Sequence, residues 1–374
     1  MSTFDDLDTY EPAARIVVIG VGGAGNNAIN RMIDDSIDSV EFYVANTDKQ
    51  ALATSKAKNR LVLGNEITKG LGAGGIPDVG RAAAEDSAED IRNIVRGANM
   101  VFIAAGMGGG TGTGAAPVIA RIAQEEGALT LAIVTRPFTF EGQKRIANSI
   151  EGLNKLKDNV DSIIVVSNDK LLIISGNAPI SEAFSESDRV LAQSVKTVTD
   201  LILMPAVINL DFADVKSTLA SSGIALIGFG MGQGSTKAID AAQNAINSPL
   251  LEASIRGARK AIIAVTCGPQ VSLFEAQDAV DRLIDEAGNT IDVKFGVSIN
   301  NQLNDQLLVS VIASDFTEEY DFTHVPQVNP RVNKNVTLTS PEETHQEETN
   351  ETTDTRDDDK DSLIPSFLRK GSED

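Results

Sequence analysis

Between an apolar run and an amphipathic stretch this chain places Ala105-Gly106-Met107-Gly108-Gly109-Gly110-Thr111-Gly112-Thr113-Gly114, a loop with six glycines and two threonines. Few architectures accommodate such a segment. Glycine tolerates φ > 0 and has no Cβ, so successive backbone N–H groups can converge on an anion, most favourably where the dipole of a following helix assists. The flanks agree with that reading, since Met100 to Ala104 has the composition of a buried strand and Ala115 to Glu126 has helical spacing, with Pro117 expected in its first turn. A flexible linker would mix in serine and charge and would not join two apolar elements. The expectation is a phosphate-holding strand–loop–helix.

The first half of the chain repeats this alternation. Apolar runs at Arg15 to Ile19, Glu41 to Ala45, Met100 to Ala104, Thr130 to Val134 and Ser162 to Val166 are separated by amphipathic stretches, which predicts a parallel, doubly wound α/β sheet with ligands at the carboxyl ends of its strands. From Ser181 to Leu203 the positions Phe184, Val190, Leu191, Val195, Val198, Leu201 and Ile202 recur at helical spacing, giving a helix roughly 35 Å long. Beyond Pro205, strand-like runs at Gly223 to Gly230, Arg259 to Thr266, Lys294 to Ile299 and Leu307 to Ala313 surround helical stretches at Ser235 to Ala245 and Leu273 to Ala287. They predict a second, smaller α/β domain. From Thr317 the sequence becomes polar and acidic, which predicts disorder up to Asp361, before a short apolar block, Leu363 to Leu368.

Composition narrows the chemistry. With 53 acidic against 32 basic residues and a formal net charge of -21, general binding to nucleic acid or anionic membranes is disfavoured, so any anion must be held by local geometry. The single cysteine, Cys267, forms no intramolecular disulfide and reads as a small buried residue in a reducing compartment. Both histidines, His324 and His345, fall in the polar C-terminal region, which leaves no histidine for a catalytic triad or a metal site in the folded part. The start, Met1 to Glu11, lacks the apolar core of a signal peptide and no run is long enough to span a membrane, so the expectation is a cytoplasmic protein without direct membrane insertion.

Further segments carry chemistry. Gly20-Val-Gly22-Gly23-Ala24-Gly25 satisfies G-x-G-x-x-G, with Asp48 about twenty residues on, and alone would indicate an NAD-dependent oxidoreductase of the Rossmann type. The second, richer glycine loop is foreign to that pattern and better suits a nucleoside triphosphate, while the absence of G-x-x-x-x-G-K-[ST] excludes a P-loop NTPase. A third glycine segment, Gly70 to Pro77, reads either as a further ligand loop or as a surface turn. Glu141 and Arg145, four apart at a helix start, are either ligand-binding or a plain ion pair. Phe184 and Asp188 share a helix face and suit a purine with adjacent N–H donors, or else are a core ring beside a solvated acid. Asn209-Leu-Asp211-Phe-Ala-Asp214 offers carboxylates that polarise water or cap a helix, yet it lies a long helix away from the glycine loops.

Taken together, these residues resemble the FtsZ family of tubulin-like bacterial cell-division GTPases. Gly106 to Gly114 is similar to its glycine-rich signature and Asn209 to Asp214 to its catalytic loop, while Asn46-Thr-Asp48, Gly70 to Pro77, Arg136 to Glu141 and Ser248 to Glu252 also match. Ala24 stands where many relatives carry glycine, which a negative φ tolerates. The resemblance implies a tubulin-like fold: a flexible segment 1–12, a GTP-binding domain 13–180, a central helix 181–204, a C-terminal α/β domain 205–316, a disordered acidic linker 317–361 and a partner-binding peptide 362–374. It also implies head-to-tail filaments at the midcell division site. Gly22, Gly23, Ala24, Gly25, Asn26, Asn27, Gly74 and Gly109, Gly110, Thr111, Gly112, Thr113 would face the phosphates, Glu141 and Arg145 the ribose and phosphates, and Asn168, Phe184 and Asp188 the guanine. Asp211, Asp214 and Asn209 would act on GTP in the next subunit, Mg²⁺ would sit on the phosphates without protein side chains, and Asp361 to Lys370 would dock on membrane-tethering and regulatory division proteins.

Overall fold

The computed structural model describes residues 14–317 and Phe322, apart from 38–39, 176–178, 205 and 289–290. The expected segments 1–12 and 362–374 lie outside the described residues, as does the linker 317–361 except Thr317 and Phe322. The strands are β1 (Ile16–Val21), β2 (Glu41–Asn46), β3 (Asn59–Val62), β4 (Met100–Gly106), β5 (Leu129–Arg136), β6 (Ser162–Ser167), β7 (Gly223–Gly232), β8 (Ala258–Cys267), β9 (Asp292–Ile299) and β10 (Leu307–Phe316). They form one sheet in the order β3-β2-β1-β4-β5-β6-β7-β10-β8-β9.

From β3 to the start of β7 every pairing is parallel. Such a sheet must be covered on both faces, which is why β1 is apolar throughout and β5 is apolar except for Thr130, Thr135 and the terminal Arg136, both strands being buried at every residue. Side chains alternate between two cores. Val18, Phe102 and Leu131 point to the face covered by Val190, Val195 and Val198 of the central helix, whereas Val17, Ile19 and Ile103 meet Ile119 and Ala123 of the helix Thr111–Glu125. Phe322, within the expected linker, is buried in the second of these cores.

Strand β7 joins the two halves. Its first residues, Gly223 to Ala225, pair with Ser162 to Ile164 of β6, and Leu226 to Gly232 then pair antiparallel with β10. The C-terminal sheet is covered by helices Lys237–Ile246 and Leu273–Ala287, the latter closed by a capping box between Ser272 and Glu275. Cys267 is buried here, and burial pushes its thiol up to about 11, so it packs as a small apolar residue.

Two expectations need correction. The helix after the glycine loop begins at Thr111 rather than Ala115, so Pro117 lies in its second turn. The strand β3 has no counterpart in the expected set: it is a short edge strand, Asn-Arg-Leu-Val, with too little apolar content to stand out.

Candidate nucleotide site

The strand order reverses between β1 and β4, with β2 and β3 on one side and β5 and β6 on the other, and the crevice outside their carboxyl ends is where open α/β sheets bind ligands. Two helices start at that crevice, Gly22–Asp34 and Thr111–Glu125. Neither start has a side-chain cap or an acidic residue in its first turn, so both leave backbone N–H groups and positive dipole ends for an anion. The glycine loops touch each other: Gly22 has φ +73°, and a Cβ there would lie 2.9 Å from the Gly112 nitrogen. Gly23 and Gly109 are different. Neither has positive φ, and neither has any neighbour within 4 Å of an added Cβ, so turn geometry and packing leave both glycines unexplained. An anion approaching the backbone from the open side accounts for them.

The polar side chains here mostly hold the loops. With its amide nitrogen turned inward, buried Asn26 donates to the carbonyls of Gly20 (3.1 Å) and Gly22 (2.9 Å), while Asn27 remains exposed. Thr113 accepts from the Gly108 N–H at 2.7 Å. Ala24 lies within the helix and is not among the residues with positive φ, as the resemblance required. The third glycine segment packs on the second, because a Cβ on Gly110 would lie 2.8 Å from Ala73 Cβ and 2.9 Å from the Ile76 nitrogen, while Gly74 (φ +57°) faces open space.

Beyond β5 and β6 the remaining candidates converge. Glu141 accepts from the Phe138 N–H at 2.9 Å and pairs with Arg145, so the plain ion pair does form. Arg145 nevertheless borders the phosphate loop, since a Cβ on Gly108 would lie 2.8 Å from its carbonyl oxygen. Asn168, at the end of β6, accepts from Ser187 of the central helix at 2.9 Å. Phe184 is 41% exposed and meets buried Phe138 edge-on, with centroids 5.0 Å apart. Next to Ser187, Asp188 has its carboxyl pushed up to about 7 by burial, against the opposing pull of Arg31.

Asn209, Asp211 and Asp214 are not part of this group. The central helix Ile180–Leu203 meets Asn168 through Ser187, its eighth residue, so about 24 Å of that helix runs on beyond this contact, whereas six-residue β6 spans only about 20 Å. The acidic loop follows its far end. Asp211 caps the helix Phe212–Leu219 by accepting from the Asp214 N–H at 2.8 Å, and Asp214 accepts in return from the Asp211 N–H at 3.4 Å. The capping reading is therefore realised, and each carboxylate keeps a second oxygen outside those bonds. Asp48, the acid of the dinucleotide pattern, also caps a helix, accepting from Gln50 and Ala51 N–H groups at 2.8 and 3.3 Å.

Three supporting contacts have no local signal in the sequence, although Thr47 and Arg136 lie in segments that carry the resemblance. Asp169 accepts from the Thr139 N–H (2.9 Å) and hydroxyl (2.5 Å), which fixes the loop carrying Glu141. Thr47 bonds Thr111 across the crevice, and Arg136 reaches Glu252. Each contact joins segments far apart in the chain. Among the described residues no three His, Cys, Asp or Glu side chains cluster as a metal site, and no helix is long and apolar enough to cross a membrane.

Residues 15–176 match the family described as "Tubulin/FtsZ family, GTPase domain", and residues 223–317 match "FtsZ family, C-terminal domain". Among solved structures, the chain is similar to an empty FtsZ dimer from M. jannaschii at 40% identity, over 82% of this chain and 89% of that one, with a TM-score of 0.78. It is also similar to a GTPγS-bound protofilament of CetZ2 from Haloferax volcanii, at 22% identity over 83% and 95% with a TM-score of 0.70, a likeness of fold alone. The sheet, its crevice and these matches define a tubulin-like cytoskeletal GTPase that binds GTP and GDP. The chain belongs to the FtsZ family. The oxidoreductase reading of the first glycine motif is thereby set aside.

Proposed function

We propose that this GTPase assembles head to tail into filaments of the bacterial division ring, and that each GTP is hydrolysed between two subunits. The observation that carries the proposal is the separation of the glycine crevice from the acidic loop, which follows the far end of the central helix, about 23 Å of helix beyond Asp188. One subunit cannot bring both to the same phosphate. Stacking copies head to tail would, because the crevice of one subunit would then face the acidic loop of the next. Exposed apolar side chains at both ends support such a contact: Ile67, Leu71, Ile76 and Phe140 around the crevice, and Met204, Val207, Leu273, Phe274 and Ile299 towards the acidic loop. Val207 adjoins the Ile208–Val297 bridge, and Ile299 pairs with Cys267 at the end of β8, shortly before Leu273.

In this reading, the N–H groups of residues 22–27 and 109–113 surround the phosphates, and Gly74 approaches them from the third loop. Glu141 and Arg145 face the ribose and phosphates, Phe184 stacks on guanine, and Asn168 and Asp188 bond its edge. Asp211 and Asp214 of the neighbouring subunit orient the attacking water and draw on its proton with their remaining oxygens, with Asn209 alongside. The crevice fits a triphosphate, with two uncapped helix starts and open glycine faces. Mg²⁺ bound to phosphate oxygens would offset their charge, and no protein ligand is assigned to it. The protein would act in the cytoplasm at midcell, with Asp361 to Lys370 docking on membrane-tethering and regulatory division proteins.

The test is GTP turnover per molecule against protein concentration. A threshold below which turnover nearly vanishes is expected, and strict proportionality from the lowest concentration would refute the shared site. A second expectation concerns pH. Guanine presents N–H donors to Asp188, which binds them as a carboxylate, so lowering pH through about 7 makes nucleotide binding displace a proton. Affinity, measured below the assembly threshold, should fall by up to about tenfold per pH unit below 7 and level off above it. Asp188→Asn should bind more weakly with a flattened profile; an unchanged profile would remove Asp188 from the base site.

A further inference from the structure

Thr47 follows β2 and is fully buried. Its hydroxyl lies 2.7 Å from the hydroxyl of Thr111, the first residue of the helix that starts in the phosphate loop. Its backbone carbonyl accepts from the Thr68 hydroxyl at 3.2 Å and the Gly72 N–H at 3.1 Å. A single buried residue therefore bonds to the base of the third glycine segment and to the second glycine loop.

The direction of the proton between the two threonines follows from burial. A hydroxyl carries one donor, and an O–H left without an acceptor in the interior costs the full desolvation of that group. Among the described residues, Thr111 is the only hydrogen-bond partner of the Thr47 hydroxyl. Thr47 must therefore donate, and Thr111 accepts. Thr111 is only partly buried, so its own proton is free to turn towards the crevice. If the pair were reversed, the Thr47 proton would be buried without a partner while Thr111 offered only lone pairs to an anion.

We infer that Thr47 is a positioning residue that fixes Thr111 as a hydrogen-bond donor to a phosphate oxygen of the bound nucleotide. The inference rests on the phosphate-cradle reading of Thr111 given above. The two bonds to its carbonyl hold Thr47 in place, so the hydroxyl pair is pre-set before the nucleotide arrives.

The test is a double-mutant cycle on the full chain, read as the affinity for a fluorescent GTP analogue below the assembly threshold. Thr47→Val should weaken binding about fivefold, the loss of one net hydrogen bond, and Thr47→Ser should stay within about twofold of wild type. In a Thr111→Val background, Thr47→Val should have no further effect. If Thr47→Val does not fold, Thr47→Ala serves as the hydroxyl-free variant. Normal binding by Thr47→Val alongside weakened binding by Thr111→Val would overturn the relay and leave the phosphate reading intact. A Thr47→Val loss that persists undiminished in the Thr111→Val background would show that Thr47 acts through the fold instead. Normal binding by Thr111→Val would overturn both readings.

Discussion

Asp214→Ala is expected to keep the affinity for GTP and GDP within about twofold of wild type while lowering GTP turnover at least about 100-fold, the usual scale for removing a group that handles a proton in the transition state. The first half of that expectation follows from distance, because Asp214 lies beyond the far end of the helix Ile180–Leu203 from the crevice of its own subunit. Its capping role provides the control. Asp214 accepts from the Asp211 N–H at 3.4 Å, so alanine also removes half of a capping box, a loss of about 1 kcal/mol to a short helix. Asp214→Asn retains an acceptor for that N–H but lacks the charge. If Asp214→Asn is as slow as Asp214→Ala, the loss is chemical; recovery in Asp214→Asn would assign it to the cap. Mixing tests the shared site directly. Asp214→Ala, with an intact crevice but no acid, mixed with a variant whose crevice is blocked by a bulky residue at Gly109 but whose acids are intact, should recover hydrolysis although each is inactive alone. A mixture that forms filaments yet stays idle would show that the acids serve their own subunit.

What the sequence conveyed depended on the range of each interaction. The helix Leu273–Ala287 was legible to the residue, because its boundaries rest on a local period and on Ser272 and Glu275, three residues apart. The helix Thr111–Glu125 starts four residues before its apolar period does, since Thr-Gly-Thr-Gly has poor helix propensity and is held helical by tertiary contacts, such as Thr111 on Thr47 and Gly114 packed on the Pro77 carbonyl. Most nucleotide-site candidates were legible as motifs because a strand end and the following turn are contiguous in the chain. Their second roles were not. That burial lifts Asp188 to about 7 depends on elements that the local pattern does not contain. The residues of the pairs Thr47–Thr111 and Arg136–Glu252 all lie in segments that carry the resemblance, but at 64 and 116 residues apart nothing in the sequence signals that they pair.

The second of those pairs leads to the largest expected effect on stability. Arg136 ends β5, one residue before the loop that carries Glu141, and its guanidinium lies 3.3 Å from Glu252 and 2.7 Å from the Phe322 carbonyl. The side chains of the pair are only 5% and 2% exposed. Close by, the Lys170 ammonium, whose pKa burial lowers, donates to the Leu251 carbonyl. Two cations beside the nucleotide crevice thus hold one segment of the C-terminal half, Leu251 and Glu252. Glu252→Gln should cost about 3–5 kcal/mol, because it leaves the Arg136 charge buried without its carboxylate. The measurement is the denaturant midpoint, with the shift expected in both halves if the pair joins them and only in the C-terminal half if Glu252 acts locally. The double variant Arg136→Met, Glu252→Leu separates attraction from desolvation: with both charges removed and the volume roughly kept, most of the lost stability should return. If the double variant is instead less stable than Glu252→Gln, the ion pair itself, and not the penalty of an uncompensated charge, holds the two halves together. The same variant reports on function, because Arg136 adjoins the loop bearing Glu141: normal GTP affinity in the double variant would show that this loop is placed by Asp169 and Thr139 without help from the C-terminal half.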